Sequence, residues 1–200
     1  MRIFTLLLLL CVSTFSLAQE GDNDAQAQLT EMIFNDPASP RQGASKPALI
    51  IVNFTDYNCP YCKQFDPMLE KIVHDYPQVQ LVVKLLPFRG ESSMTSARVA
   101  LTTWRQQPDQ FWALHQRLMA KKGTHDDASI LSAQQKTQTA EIKMDEQSRE
   151  SVNMNLILSQ VLGIQGTPAT IVGDQMVAGA IAYNDLEALV KEQLAKVNAQ

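Results

Sequence analysis

Two cysteines separated by two residues, Cys59 and Cys62, are the residues whose type and spacing most directly predict chemistry in this chain. They follow an apolar run, residues 49–52, that predicts a buried strand, and they precede an apolar pattern of helical period. Residues three apart at the start of a helix lie on one side of it, close enough for a disulfide. We therefore expect a redox-active pair where a strand ends and a helix begins.

The start of a helix favours ionisation of the first cysteine. Unpaired backbone N–H groups and the positive end of the helix dipole both stabilise a thiolate, which is the nucleophilic form of cysteine. Pro60 suits the first helical position because it lacks an N–H, and Lys63 adds a nearby cation. We predict that Cys59 is an exposed nucleophile and that Cys62, one turn deeper, resolves the mixed disulfide.

Two other uses of the pair compete with thiol–disulfide exchange. A structural zinc site needs four nitrogen or sulfur ligands, and His74, His115 and His125 have no metal-like spacing. An inert disulfide between Cys59 and Cys62 would close too short a ring to constrain the unfolded chain much. We favour redox chemistry over both, and we interpret His115, on an apolar helix face, as a core residue.

Composition and the first residues indicate a secreted protein of one domain, or of one domain with a large insertion. The chain has 200 residues, and residues 1–18 combine Arg2, an apolar run and a small-residue cleavage site, which predicts a signal peptide. Cys11 belongs to that segment, so the mature chain keeps only the paired cysteines, a redox pattern. Loss of Arg2 changes the formal net charge from −4 to −5, which gives no reason to expect nucleic acid as a partner.

The rest of the pattern predicts the elements that position the pair. Residues 19–47 form an N-terminal extension with a short helix, stopped by the prolines of residues 36–40, and a loop over residues 41–47. Residues 48–90 and 163–200 form the main domain, in which a strand at 79–85 runs parallel to the first strand. A hairpin turning at Asp174-Gln175 and an amphipathic helix close this domain.

Residues 91–162 predict an inserted helical domain. Ser92 or Ser93 and Asp126 or Asp127 are candidate N-caps within it, and Asn184 is a candidate N-cap for the last helix. Residues 134–143 are polar and lack apolar spacing, which predicts a mobile link or an exposed helix.

The order of elements is that of an α/β thioredoxin fold with an inserted helical domain. With the segments FTDYNCPYCKQF (54–65) and GIQGTPATIV (163–172), the chain resembles the DsbA-like periplasmic thiol–disulfide oxidoreductases. Within that family it most resembles the group linked to suppression of copper sensitivity, which the segment NDPASP (35–40) also fits. The likeness covers nearly all of the mature chain.

The resemblance implies a second half of the site. Taken alone, Pro168 is expected to be trans, but the family pattern implies a cis peptide bond facing the cysteines. It also implies that the Thr167 backbone pairs with an extended substrate. The implied catalytic residues are Cys59, Cys62, Thr167 and Pro168, and the implied substrate contacts are Pro60, Tyr61, Thr167 and Pro168.

One residue departs from the pattern of many thioredoxin-like proteins. They have a buried acid six residues before the first cysteine, as a proton relay to the second, and this chain has Asn53 there. An amide can form hydrogen bonds but cannot carry a proton at neutral pH. Asp56 is expected to be a solvated turn residue, so water is the expected proton carrier for Cys62.

The direction of exchange depends on the reduction potential and on the partner that resets the pair. Thr167 resembles the isomerases and reductases rather than strong oxidases, which usually have valine there. This favours a protein kept reduced by a membrane partner of the DsbD/ScsB type and acting on unfolded or misoxidised secreted proteins in copper stress. The alternative is a DsbA-type oxidase with a DsbB-type partner.

Two further classes of protein stay open, a copper-binding protein and a binding module. Cys59 and Cys62 could bind Cu(I), since thiolates are soft ligands, and the chain could be a binding module without turnover. No cofactor is expected beyond the redox-active disulfide and this possible copper. Residues 29–34 are the candidate segment for assembly, and a monomer is equally compatible with the sequence.

Overall fold

The computed structural model describes residues 24–199, so the predicted signal peptide lies outside the described residues. The chain divides into two compact units at Asp36. The first, described from residue 24, is helical and ends in a wider π-helical turn, Glu31–Asn35. Within the described residues, no helix is long and apolar enough to span a membrane.

The second unit contains a five-stranded mixed sheet. Its strands are β1 (Arg41–Gly43), β2 (Leu49–Thr55), β3 (Val79–Leu85), β4 (Ala169–Val172) and β5 (Gln175–Ala178). They lie in the order β1-β3-β2-β4-β5. As predicted, β2 and β3 are parallel, with α1 (Pro60–Asp75) between them in sequence, and β4 and β5 form an antiparallel hairpin.

The predicted loop over residues 41–47 is wrong at its start. β1 pairs antiparallel with β3, with Arg41 opposite Val82. The Val83 N–H also donates to the Pro40 carbonyl at 2.8 Å. These backbone hydrogen bonds order a three-residue strand that has no apolar alternation. Such a strand cannot be predicted from sequence periodicity.

Four helices occupy the predicted insertion, and a fifth closes the chain. They are α2 (Glu91–Gln106), α3 (Pro108–Ala120), α4 (Asp127–Lys136), α5 (Glu146–Val161) and, at the end, α6 (Tyr183–Asn198). Asp126 caps α4 through reciprocal hydrogen bonds with Ser129, as predicted. The other predicted caps are wrong, because α2 follows Gly90 and α6 follows Ala182 without a side-chain cap.

Residues 134–143 are not the mobile link or exposed helix that their polarity predicted. The buried Gln134 amide donates to the carbonyls of Thr139 at 3.0 Å and Ile142 at 3.2 Å. Thr137 and Thr139 are also buried, and their hydroxyls lie 3.1 Å apart. Polar side chains therefore order this turn from within, which an apolar-spacing criterion cannot detect.

The core fixes α1 against the sheet. Ile51 of β2 and Leu81 of β3 face the buried side chains of α1, which are Phe65, Leu69 and Ile72. Burial of each such side chain stabilises the fold by about 1.5–3 kcal/mol. This packing holds the N-terminus of α1 at the carboxyl end of β2, where the paired cysteines lie.

Candidate active site

Cys59 is the N-cap of α1, and its sulfur lies between the helix and the loop before β4. Pro60 is the first helical residue, and the Cys62 N–H points at the Cys59 Sγ, 3.5 Å away. The Cys59 thiol donates to the Thr167 carbonyl, with 3.2 Å between sulfur and oxygen. The Thr167–Pro168 bond is cis, as the resemblance implied. The structure brings Cys59, Cys62, Thr167 and Pro168 together in one site.

The two thiols differ in acidity. The pKa of Cys59 falls from 9.0 to about 5, chiefly because the Cys62 thiol donates to its sulfur, with help from backbone N–H groups and the Thr167 side chain. Burial opposes this effect but does not overcome it. Burial and the hydrogen bond to Cys59 raise the pKa of Cys62 far above its usual value. At neutral pH Cys59 is therefore a thiolate, and Cys62 keeps its proton.

The prediction of an exposed Cys59 is wrong, because the residue has 0% of its surface accessible. The Thr167 carbonyl and the first turn of α1 cover the sulfur, whereas local sequence reasoning considered the helix start alone. The neighbouring Pro60 is exposed, and Tyr61 is 60% exposed. The bond to Thr167 needs a thiol proton, so ionisation of Cys59 removes the contact that covers it.

Asp56 is a buried anchor rather than the solvated turn residue that was predicted. Its Oδ1 accepts from the Asn58 N–H at 2.7 Å and from the Ser93 hydroxyl at 2.7 Å. Its Oδ2 accepts from the N–H groups of Phe88 at 2.8 Å and Arg89 at 3.0 Å. One carboxylate thus ties the active-site loop to the end of β3 and the start of α2.

Asn58 and Lys63 connect the site to the inserted helices. The buried Asn58 amide donates to the Ser92 hydroxyl at 2.9 Å and accepts from the His125 N–H at 2.7 Å. The Lys63 ammonium donates to the carbonyls of Lys121 and, at 2.7 Å, Gly123. Burial and Lys121 lower the pKa of Lys63, while Asp56 and Cys59 raise it. Lys63 is thus the predicted nearby cation, but it is held by the chain after α3.

His115 is a core residue, as predicted, and it belongs to a buried polar chain. Burial and then Asp66 raise the pKa of Tyr57 well above its usual value, so this phenol keeps its proton. Tyr57 donates to His115 Nδ1 at 2.9 Å, and Nε2 then donates to Asp66 Oδ1 at 3.0 Å. The chain links the loop before Cys59 to α3 and to the second turn of α1.

Sequence reasoning missed Tyr57 and Asn58 as supports of the site. Both lie in the loop directly before Cys59, which was the one signal that could have identified them. Their partners are 34 to 67 residues away in sequence, so no local pattern indicates the pairing. Asn53 is buried and accepts from the Thr170 hydroxyl at 3.1 Å, so it has a structural contact in the position of the missing acid.

A groove lies beside the cis-proline loop. It has a volume of about 370 Å³ and is lined by residues 163–169 together with Met176, Ala178 and Gly179. Apart from Gln165 and Thr167, its side chains are apolar or absent. A groove of this character can accept an apolar side chain of a chain that pairs with Thr167.

The two sulfurs are also the candidate copper ligands. Cu(I) accepts soft thiolate donors, and the neighbouring sulfurs of Cys59 and Cys62 meet that requirement. Among residues 24–199 no group of three or more histidine, cysteine or acidic side chains is placed to hold a metal. The donor set therefore fits a two-sulfur site.

The fold and the paired cysteines define a thioredoxin-type thiol:disulfide oxidoreductase. Residues 50–191 match the DSBA-like thioredoxin domain, and the chain belongs to that family. It is similar to "Disulfide bond formation protein D" of Bacillus subtilis, with 26% identity over 78% of this chain and 77% of that one. It catalyses thiol–disulfide exchange of the DsbA type.

Within the family, this chain is similar to ScsC proteins. The catalytic domain of Proteus mirabilis ScsC is 52% identical, with a TM-score of 0.83, over 86% of this chain and 98% of that one. A periplasmic thioredoxin-like protein from Salmonella enterica serovar Typhimurium is 57% identical, with a TM-score of 0.82, over 84% of this chain and 97% of that one. The resemblance expected from the sequence, to suppressor of copper sensitivity protein C, is confirmed.

Proposed function

We propose that this protein works in the periplasm as an isomerase or reductase of misoxidised secreted proteins during copper stress. A membrane partner of the DsbD/ScsB type would keep the pair reduced. The observation that supports this direction is the residue before Pro168: it is Thr167, where strong oxidases usually have valine, and its side chain makes a minor contribution that lowers the pKa of both cysteines. A hydroxyl next to the sulfurs stabilises the Cys59 thiolate, the form that an isomerase needs to attack a wrong disulfide. Because a stabilised thiolate also makes the pair a weaker reductant, the membrane partner would have to supply the electrons that keep it reduced.

Exchange begins with the thiolate. Cys59 attacks one sulfur of a substrate disulfide, forms a mixed disulfide and releases the other substrate sulfur as a thiolate. Cys62 then gives up its proton, which ends on the released thiolate, and attacks the Cys59 sulfur. The Cys59–Cys62 disulfide forms, and the second substrate thiolate leaves. For isomerisation, a substrate thiol reverses the first step before Cys62 reacts.

Substrate binding would use the loop that covers the sulfur. Once Cys59 is ionised, the Thr167 carbonyl no longer receives its proton and is free to pair with an extended substrate backbone. Tyr61, between the two cysteines in sequence, is exposed, and an apolar groove lies beside Pro168. Unfolded and misoxidised chains offer the extended backbone and apolar side chains that such a surface can bind.

The redox state of the pair in growing cells tests the direction. Trapping thiols in acid and labelling them should show a mostly reduced pair, with and without copper. Thr167→Val should shift the pair toward the oxidised form, since it removes the hydroxyl, while Thr170→Val is the control for loss of a nearby threonine hydroxyl. A pair that is oxidised at steady state in the parent would instead support the oxidase with a DsbB-type partner.

Trapping separates catalysis from mere binding. Cys62→Ala should accumulate mixed disulfides with secreted proteins, and Cys59→Ala should accumulate none. Parent protein should refold a scrambled disulfide substrate, which a binding module without turnover cannot do. Equal insulin reduction by the parent and both variants would reject exchange at this pair.

The paired sulfurs favour Cu(I) binding as a second function. Cys59 and Cys62 would hold the ion, and two-coordinate thiolate binding would remove free Cu(I) that otherwise drives wrong disulfides. Titration of the reduced protein should show one equivalent bound, which Cys59→Ser loses. Failure to compete with glutathione for Cu(I) would remove this function and leave exchange untouched.

A further inference from the structure

Thr55, the last residue of β2, has a buried hydroxyl without a hydrogen-bonding partner. The residue has 0% of its surface accessible, and its Oγ1 forms no hydrogen bond within the described residues. It is the one buried side-chain polar atom between residues 24 and 199 of which this is true. A buried hydroxyl without a hydrogen-bonding partner lowers the stability of the fold. Its presence in this site therefore suggests a role in a state other than the resting dithiol.

The hydroxyl lies on the side of the sheet that faces the cysteines. Side chains alternate along a strand, so Thr55 shares a face with Asn53 and Ile51, and Ile51 packs in the cluster that contains the buried side chains of α1. Although burial dominates and raises the pKa of Cys62, the Thr55 hydroxyl acts in the opposite direction. Thr55 is thus close enough to the resolving sulfur to act on it as a hydrogen-bond donor. In the resting dithiol, however, its hydroxyl forms no hydrogen bond of standard geometry.

Other polar groups near the pair already form hydrogen bonds. The four acceptor bonds of Asp56 occupy both oxygens of its carboxylate. The Lys63 ammonium donates to two carbonyls, and the Asn53 oxygen accepts from Thr170. The Thr167 carbonyl contacts Cys59, and its side chain acts on both sulfurs from the cis-proline loop. Thr55 differs from these groups, because its buried hydroxyl forms no hydrogen bond in the resting fold.

We propose that the Thr55 hydroxyl donates a hydrogen bond to the Cys62 sulfur when that sulfur loses its proton and attacks the mixed disulfide. In the step itself the Cys62 S–H proton leaves through water, to the released substrate thiolate or, when that thiolate is a weak base, to the buffer. The Cys62–Cys59 bond forms, the Cys59–substrate bond breaks, and the second substrate sulfur leaves as a thiolate. The threonine neither gains nor loses a proton. It compensates a buried negative charge at the moment the charge forms, in a site where Asn53 replaces an acid.

This inference rests on the exchange reaction proposed above, and it concerns the second half of that reaction. A hydrogen bond to a charged group contributes enough to change a rate by about tenfold or more. The hydroxyl has no partner before Cys62 ionises, so its removal should leave the first half of the reaction unchanged. It should also raise the melting temperature of the reduced protein, because an unpaired buried polar group disappears.

The test separates the two halves with 5,5′-dithiobis(2-nitrobenzoic acid), a small disulfide that releases one coloured thiolate in each step. In stopped flow, Cys59 attack gives the first phase and Cys62 resolution the second, and Cys62→Ser should lack the second. In Thr55→Val the second phase should slow about tenfold, with its pH midpoint moved upward, while the first phase stays at the parent rate. Thr55→Ser, which keeps the hydroxyl, should resolve within about threefold of the parent.

Several results would overturn the proposal. One is an unchanged second phase in Thr55→Val, and another is equal slowing of both phases, which would indicate altered packing. A third is equal slowing in Thr55→Ser and Thr55→Val. If the valine variant does not fold, Thr55→Ser and Thr55→Ala provide the comparison, since both lack the methyl group and only one has the hydroxyl. The variants could show the expected effects on the two phases while the protein shows no isomerase activity in cells. That outcome would count against the proposed direction of exchange and not against the role of Thr55.

Discussion

Asp56→Asn is the substitution that most sharply tests how the active-site loop is held. The carboxylate accepts four hydrogen bonds at 2.7 to 3.0 Å, two on each oxygen. An asparagine side chain has the same shape but replaces one oxygen with an NH₂ group, which meets two donors that it cannot pair with. Each buried donor left without a partner costs about 1–3 kcal/mol, so the free energy of unfolding should fall by about 3 kcal/mol.

Ser93→Ala is the matched control for this effect. It removes one donor to the same carboxylate and leaves the three backbone N–H groups paired, so it should cost about 1 kcal/mol. Urea unfolding of the reduced protein, followed by the fluorescence of Trp104 and Trp112, gives both values under one condition. A loss in Asp56→Asn no larger than that in Ser93→Ala would refute the assignment of Asp56 as the anchor of the loop.

Two further predictions concern the buried polar chain and the pH dependence of stability. His115→Phe should lower the free energy of unfolding, measured in urea, by about 3 kcal/mol, because Tyr57 and Asp66 both lose a buried partner. A loss below about 1 kcal/mol would contradict the hydrogen bonds assigned to His115. Because folding lowers the pKa of Cys59, the reduced protein should gain stability as pH rises from about 5 toward 9 and lose it on acidification. Cys59→Ala should lack this gain, and identical pH slopes in the two proteins would count against a lowered pKa.

The sequence predicts the framework because strong local patterns specify it. The Val- and Leu-rich run 79–85 is β3 as predicted, and the strand, cysteine pair and helix follow each other as the apolar periodicity indicates. The hairpin at Asp174-Gln175 likewise follows from two short apolar runs joined by a turn. In each case the information lies within a few residues of the element.

The contacts that tune the site depend on residues far apart in the chain. The sequence predicts a solvated turn residue at Asp56 because its partners, Phe88 and Ser93, follow more than thirty residues later. The burial of Cys59 depends on Thr167, 108 residues away. Local propensity does not predict which polar groups come into contact after folding, so these features required the three-dimensional structure.

The protonation state of Cys59 tests the account most directly. Thiolate absorbance at 240 nm in the reduced protein, with Cys59→Ala subtracted, should give a single titration with a midpoint near pH 5. The rate of Cys59 alkylation should follow the same curve. A midpoint near the usual cysteine pKa of about 8.5 would contradict the proposed nucleophile, since the thiol would then be mostly protonated at neutral pH.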